Sequence, residues 1–137
     1  MHDYYYPWQN AQHWDHASMP PQPPRQILTD SHTGFIRGNL FDNLYDPYTG
    51  REPYRLQPQT EREALLIKVM EYNFALIDLN LYLDVYPNDN EKIKAYNDCL
   101  IQYKRAKTEY ERMYGPLTLE SGTLNTSPWG WLTPPWP

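Results

Sequence analysis

The nearest thing to a ligand motif in this chain is His13-x-x-His16, with Asp15 between the two imidazoles. Two histidines at this spacing can share a metal ion when a fixed backbone aims them and a third strong ligand completes the set. Here they stand in a stretch rich in proline and aromatics, and they read as solvated side chains. Cys99 is the only cysteine, which excludes an intrachain disulfide and any zinc site built on several thiolates. It falls inside a helical apolar seam, no histidine follows His32, and it reads as a small core residue. Ten acids lie between residues 60 and 116: Glu61, Glu63, Glu71, Asp78, Asp84, Asp89, Glu91, Asp98, Glu109 and Glu111. None belongs to a Glu-x-x-His pair, which a di-metal carboxylate site in a four-helix bundle requires on facing helices. They read as a solvated face. No glycine-rich phosphate loop occurs, so neither catalytic residues nor a cofactor is expected.

Tyrosine is the other reactive side chain in quantity, with 13 copies. Tyr96, Tyr103 and Tyr110 recur every seventh position, the pattern of core packing with each hydroxyl at a wet edge. A sharper reading has exposed tyrosines, above all Tyr4, Tyr5 and Tyr6, cross-linked by oxidation in a durable assembly.

Charge and hydropathy narrow the class further. A formal charge of −5 and a pI near 5.3 argue against a phosphate-driven nucleic-acid binder, which needs a basic face. Four basic and six acidic residues precede position 60, eight and eleven follow it, and no patch of either sign stands out. No apolar run approaches the ~20 residues of a membrane span. Met1-His2-Asp3-Tyr4-Tyr5-Tyr6 has neither the basic nor the apolar part of a signal peptide. A soluble chain made in a cytosol is expected.

The elements that must position these groups centre on residues 60–116. That block has no glycine before Gly115 and one interior proline, Pro87, in a chain of 14 prolines; all five tryptophans lie outside it. Thr60-Glu61-Arg62-Glu63 is a capping box. Leu65, Val69, Tyr72, Leu76, Leu79 and Leu83 then alternate at spacings of four and three, a strong helix signal. Leu66, Ile77 and Leu81 widen the apolar surface, so more than one face is expected to be buried. Pro87 ends this helix, and Asn88-x-x-Glu91 repeats the capping logic. The second helix carries Tyr96, Cys99, Tyr103, Ala106, Tyr110 and Met113 on one seam, with Arg105/Glu109 and Lys107/Glu111 supporting an exposed face. Gly115-Pro116 closes it with a left-handed cap. The expectation is an all-α fold, an antiparallel hairpin of two helices of about 25 residues and roughly 37 Å each, with extended tails.

Outside the block, residues 1–32 read as an extended, polyproline-like tail. Residues 33–59 hold enough apolar side chains to be tied down, with turn chemistry at Asp46-Pro47-Tyr48-Thr49-Gly50. Either a short helical turn and loop clip onto a partner surface, or the segment orders only on binding. Residues 118–137 end in Trp129, Trp131 and Trp136, typical interface anchors, which either dock on a partner or pack back on the hairpin. The expected partner-binding residues are Phe35, Leu40, Phe41, Leu44, Tyr45, Tyr48, Trp129, Trp131 and Trp136.

Leu81-Tyr82-Leu83-Asp84, Pro87, a long helix, Tyr110-Glu111-Arg112-Met113-Tyr114-Gly115-Pro116-Leu117 and a Trp/Pro-rich end together resemble the spore coat protein family CotJB, over residues 60–137. The family usually has Thr-His where Val85-Tyr86 stand. Gly38-Asn39-Leu40-Phe41 and Leu44-Tyr45-Asp46-Pro47-Tyr48 resemble, over a shorter stretch, the companion family CotJA. The resemblance implies a natural fusion of two coat components. It implies a structural, non-enzymatic assembly protein, made in the sporulating mother cell and deposited in the spore coat. Its implied partners are other coat proteins, a CotJC-like protein similar to manganese catalase, and copies of itself. Two alternatives follow: an adaptor that recruits or caps that catalase-like enzyme, and a small metal- or redox-active enzyme.

Overall fold

The computed structural model describes residues 26–42 and 55–132. The His13/His16 pair, the Tyr4-Tyr5-Tyr6 run and the turn at residues 46–50 lie outside the described residues. Among the described residues three α-helices occur: α1 (Ser31–Arg37), α2 (Glu61–Val85) and α3 (Asn90–Tyr114). Short 3-10 turns follow at Gly122–Leu124 and Gly130–Leu132. The two long helices have 25 residues each and pack on one another, as the periodicity predicts.

Helix α2 starts where the capping box predicts. Thr60 Oγ1 accepts the Glu63 N–H at 3.1 Å. The Glu63 carboxylate, however, reaches one residue further out than the usual box, accepting the Gln59 N–H at 2.6 Å. The helix ends at Val85, with Tyr86 as the non-helical residue ahead of Pro87, as proline sterics require. Asp89, not Asn88, caps α3: its Oδ1 accepts the Lys92 N–H at 3.1 Å. Asp89 Oδ2 also accepts the Tyr82 hydroxyl at 2.9 Å, so the residue that starts α3 is tied to the last turn of α2. Gly115 ends α3 with φ +103° and ψ 173°. That backbone favours glycine, but it is extended in ψ and not the left-handed cap expected.

The seam residues of α2 behave as the spacing predicts, with Val69, Leu76 and Leu79 buried and Leu65, Tyr72 and Leu83 packed on the core. The widening of the apolar surface is different. Leu66 is half-buried, but Ile77 and Leu81 face outward. The second buried face of α2 is instead Glu71, Ala75 and Tyr82, and it is covered by the segment around α1. On α3, Ala106 and Tyr110 are buried whereas Met113, at the end of the predicted seam, is largely exposed. Tyr110 has no exposed surface, so its hydroxyl sits at no wet edge; it accepts from Arg62 Nε at 3.3 Å.

The core has two parts. Near the hairpin turn, Ala75, Leu79 and Tyr82 close around Leu40 and Phe41 from the N-terminal segment. At the open end of the hairpin, Val69, Ala106 and Tyr110 are sealed by Tyr114 and Leu117. Segments flanking the hairpin therefore complete the core at both ends.

Candidate assembly surface

The segment at residues 26–42 folds as a clip. Leu28 and Phe41 form an antiparallel bridge, in which the Thr29 N–H donates to Leu40 O at 2.9 Å and the Asp42 N–H to Ile27 O at 2.8 Å. The seven-residue α1 lies between the two bridge partners in sequence. Asp30 caps it, accepting from the Thr33 N–H at 3.0 Å and the Thr33 hydroxyl at 2.6 Å. These bonds, the side-chain one foremost, hold the Asp30 carboxyl below the ordinary carboxylate range. Gly38, at φ 75° and ψ 19°, supplies the left-handed turn that only glycine adopts freely. Arg37 and Asp42 pair at 2.7 Å across the clip. The docked segment thus begins before residue 33, at the end of what reads from sequence as tail.

The surface that receives the clip is α2 of the same chain. Two polar anchors fix its register. His32 Nδ1 lies 2.6 Å from Oε1 of the buried Glu71, and the Leu40 N–H donates to Asp78 Oδ2 at 2.7 Å. Glu71 and Asp78 are seven residues apart, hence on one side of the helix. Between and below them the contacts are aromatic. Phe35 meets Phe74 edge-on, with ring centroids 6.0 Å apart. Phe41 stacks on Tyr82 at 4.9 Å, and Tyr82 lies against Tyr86 at the same distance. Burial first, then the bond to Asp89, pushes the Tyr82 hydroxyl up to about 12. Burial would raise the Asp89 carboxyl, but the Lys92 N–H and the Tyr82 hydroxyl outweigh it and leave it below the ordinary value.

The acids expected on a solvated face are therefore divided. Glu71 and Asp78 anchor the clip, and Asp89 joins the helices. Glu111 holds the chain after α3, accepting the Leu117 N–H and the Ser121 hydroxyl, each at 2.9 Å. Lys107, its partner at 4.0 Å, donates to the Thr118 hydroxyl at 2.7 Å. This pair is largely buried and does not support an exposed face. One signal for the clip anchors was present: Glu71 and Asp78 are the only acids between Glu63 and Asp84, in a stretch whose one other charge is Lys68.

Of the residues expected to bind partners, Leu40 and Phe41 lie in the chain's own core and Phe35 is half-buried at the rim of α2. Trp131 is half-buried, while Trp129 is 57% exposed. Gly130 sits so close to Thr123 O that an added Cβ would approach it to 2.9 Å, so the turn carrying both tryptophans is held against the preceding 3-10 turn. Leu44, Tyr45, Tyr48 and Trp136 lie outside the described residues. At the open end, Arg62 is 5.5 Å from the centre of the Tyr114 ring, and Tyr114 packs on Tyr110 with centroids 5.3 Å apart.

Cys99 donates weakly to Tyr72 O at 3.5 Å, and burial raises its thiol pKa. That favours the unreactive thiol over the thiolate. Among the described residues, no three His, Cys, Asp or Glu side chains are grouped so as to hold a metal ion. No described helix is long and apolar enough to cross a membrane.

A hairpin whose acids Glu71, Asp78 and Glu111 hold the flanking segments in place is a helical packing module. The sequence model of the CotJB protein matches residues 63–137, more than half of the chain, and the chain belongs to the CotJB family of spore coat proteins. Neither the curated proteins nor the solved structures contain a match.

Proposed function

We propose that this chain is a non-enzymatic assembly protein of the endospore coat, binding other coat components and copies of itself through helix faces and aromatic segments. The observation that carries this reading is the docking of residues 26–42 on α2. There, Glu71 and Asp78 serve as anchors for His32 and the Leu40 N–H, while Phe41 enters the core. The buried Glu71 and the half-buried Asp78 are committed to holding one segment of the chain on another, which is what an assembly protein needs from them. Trp129, exposed on a turn that is itself held in place, offers an aromatic anchor at low ordering cost.

The finer parts of the reading rest on resemblance. The likeness of residues 35–48 to CotJA supports a fusion of two coat components, with the clip representing one of them. The same likeness makes a CotJC-like protein similar to manganese catalase the receptor for the aromatic segments, including Leu44, Tyr45, Tyr48 and Trp136. Synthesis in the mother-cell cytoplasm and deposition in the coat follow from the same reading. An adaptor role differs in stoichiometry, since it requires a fixed ratio to one oligomeric enzyme.

The test is co-purification of the full chain, and of a chain lacking residues 127–137, from sporulating cells, with the bound proteins identified by mass spectrometry. The expected result is coat proteins bound to the full chain and lost from the truncated one at unchanged helix content. Retention of the same partners by the truncated chain at equal affinity would remove the tryptophan segment as an anchor.

A further inference from the structure

Helix α2 carries a second heptad-spaced apolar series. Ile67, Met70, Phe74, Ile77 and Leu81 follow one another at spacings of three, four, three and four, on a different side from the seam that meets α3. Three of them look outward, Met70 at 46% exposed, Ile77 at 53% and Leu81 at 59%, while Ile67 and Phe74 are half-buried, Phe74 against Phe35. Val85, one turn further on, is 56% exposed. Five apolar positions at this period accept the knobs of another helix, and a flat strand or an irregular loop would not match them.

The flanking positions decide which helix. In a helix pair, residues beside the apolar series select partners by charge. On one edge of this series stand Asn73 and Asn80, which are neutral. On the other stand Glu71 and Asp78, and both are already engaged within the chain, by His32 and by the Leu40 N–H. The flanking positions therefore present no free charge that would call for an oppositely charged partner. The one exposed carboxylate in line with the series, Asp84, accepts from Asn80 Nδ2 at 3.4 Å and falls at the end of the contact, opposite Ile67 of an antiparallel copy, where it keeps its water.

The series also matches itself when reversed. In an antiparallel pair, Met70 faces Leu81 and Phe74 faces Ile77, while Asn73 lies beside Asn80 on one edge. The clips then flank the other edge, with Phe35 at the rim through its contact with Phe74. From Ile67 to Val85 the stripe is about 27 Å long. Two such stripes bury on the order of 1,000 Å² in total, the size at which specific interfaces begin. We propose that α2 pairs antiparallel with α2 of a second copy through this series, giving a two-fold dimer with the same patch on both sides. The dimer deepens the assembly reading and rests on it for its place in the coat.

The test is sedimentation equilibrium of the full chain and of the Ile77→Asp/Leu81→Asp variant, with helix content followed by circular dichroism. Both side chains are exposed within one copy, so the variant keeps its fold while placing four charges in the dimer contact. The expected result is a dimer at micromolar concentration for the parent and a Kd raised at least tenfold for the variant. In a Cys99→Ser background, Met70→Cys combined with Leu81→Cys should form a disulfide-linked dimer, and Met70→Cys alone should not. A chain that stays monomeric at tens of micromolar overturns the proposal, and so does a dimer indifferent to the double variant. Efficient cross-linking through Met70→Cys alone overturns the antiparallel arrangement. A monomeric chain that still enters the coat removes the dimer and leaves the assembly reading standing; a dimer absent from the coat does the reverse.

Discussion

The Tyr82 hydroxyl donates to Asp89 at 2.9 Å, and Asp89 is the residue that caps α3. One hydrogen bond thus joins the last turn of α2, the aromatic stack that receives the clip, and the start of α3. Its pH dependence has a definite sign. The Tyr82 hydroxyl is raised from 10.0 to about 12 in the folded chain, so its contribution to stability is complete below pH 10 and is lost as pH rises from there through about 12. Tyr82→Phe removes a bond to a charged acceptor at a cost of about 1.5–3 kcal/mol near neutral pH. In denaturant titrations of both proteins, the gap between them should narrow across that alkaline window. A gap that stays constant across the window would show that the bond is not formed.

Asp89 gives the complementary acid limb. Its carboxyl is held below its ordinary value of 3.8, so the stability it contributes is present above that value and is lost as pH falls through the lower folded one. Asp89→Asn keeps a capping side chain but lacks the charge. It should flatten the acid loss seen for the parent, as read by thermal melts taken from pH 5 downward. An acid profile identical to that of the parent would contradict the role given to this carboxylate.

Asp78→Ala leaves the Leu40 N–H without its acceptor in a buried contact. The expected cost is about 1–3 kcal/mol, felt by the clip and not by the hairpin. Amide hydrogen exchange should therefore quicken at Leu40 and at Thr29, whose N–H bonds to Leu40 O, while protection in the middle of α2 and α3 holds. Uniform loss of protection across the hairpin would mean that the clip and the hairpin form one cooperative unit.

Gly34→Ala tests the packing inside the clip. A Cβ at Gly34 would come within 2.9 Å of Leu40 Cδ1 and 3.1 Å of Leu40 Cα. Leu40 is buried against α2, so it has little room to yield. Overpacking of this kind costs about 1–3 kcal/mol, which outweighs the gain in helix propensity from replacing glycine. A melting temperature equal to or above that of the parent would show that Leu40 moves freely.

Leu76→Asp should unfold the hairpin, because Leu76 is buried in the α2 seam and an unpaired charge there is desolvated at a cost of several kcal/mol. Lys94→Ala, on the exposed side of α3, should alter stability by less than about 0.5 kcal/mol. Circular dichroism of the two variants decides the matter, and equal stability would place the seam elsewhere.

The hairpin was legible in the sequence because its signals are local. Thr60 and Glu63 mark a start, Pro87 a break and Gly115-Pro116 a stop, and the three–four spacing marks the seam between them. The cap of α3 was not legible at single-residue level. Asn88 and Asp89 offer similar oxygens, and the choice falls to the one that Tyr82, seven residues back, can reach. Glu71 and Asp78 were misread as solvated because their partners, His32 and the Leu40 N–H, lie 39 and 38 residues away in sequence, beyond any periodic pattern. The clip itself mixes a short helix with an isolated bridge, and neither is long enough to leave a period.

The most direct test of the assembly reading is the amount of this chain in the purified spore coat. Spores producing the parent chain would be compared with spores producing a chain that carries Trp129→Ala and Ile77→Asp. Quantitative mass spectrometry of extracted coats, normalised to synthesis in the mother cell, should find the parent chain enriched in the coat. The variant should be depleted there although it folds. A variant that enters the coat as fully as the parent, or a parent chain left in the mother-cell cytoplasm, would contradict the account.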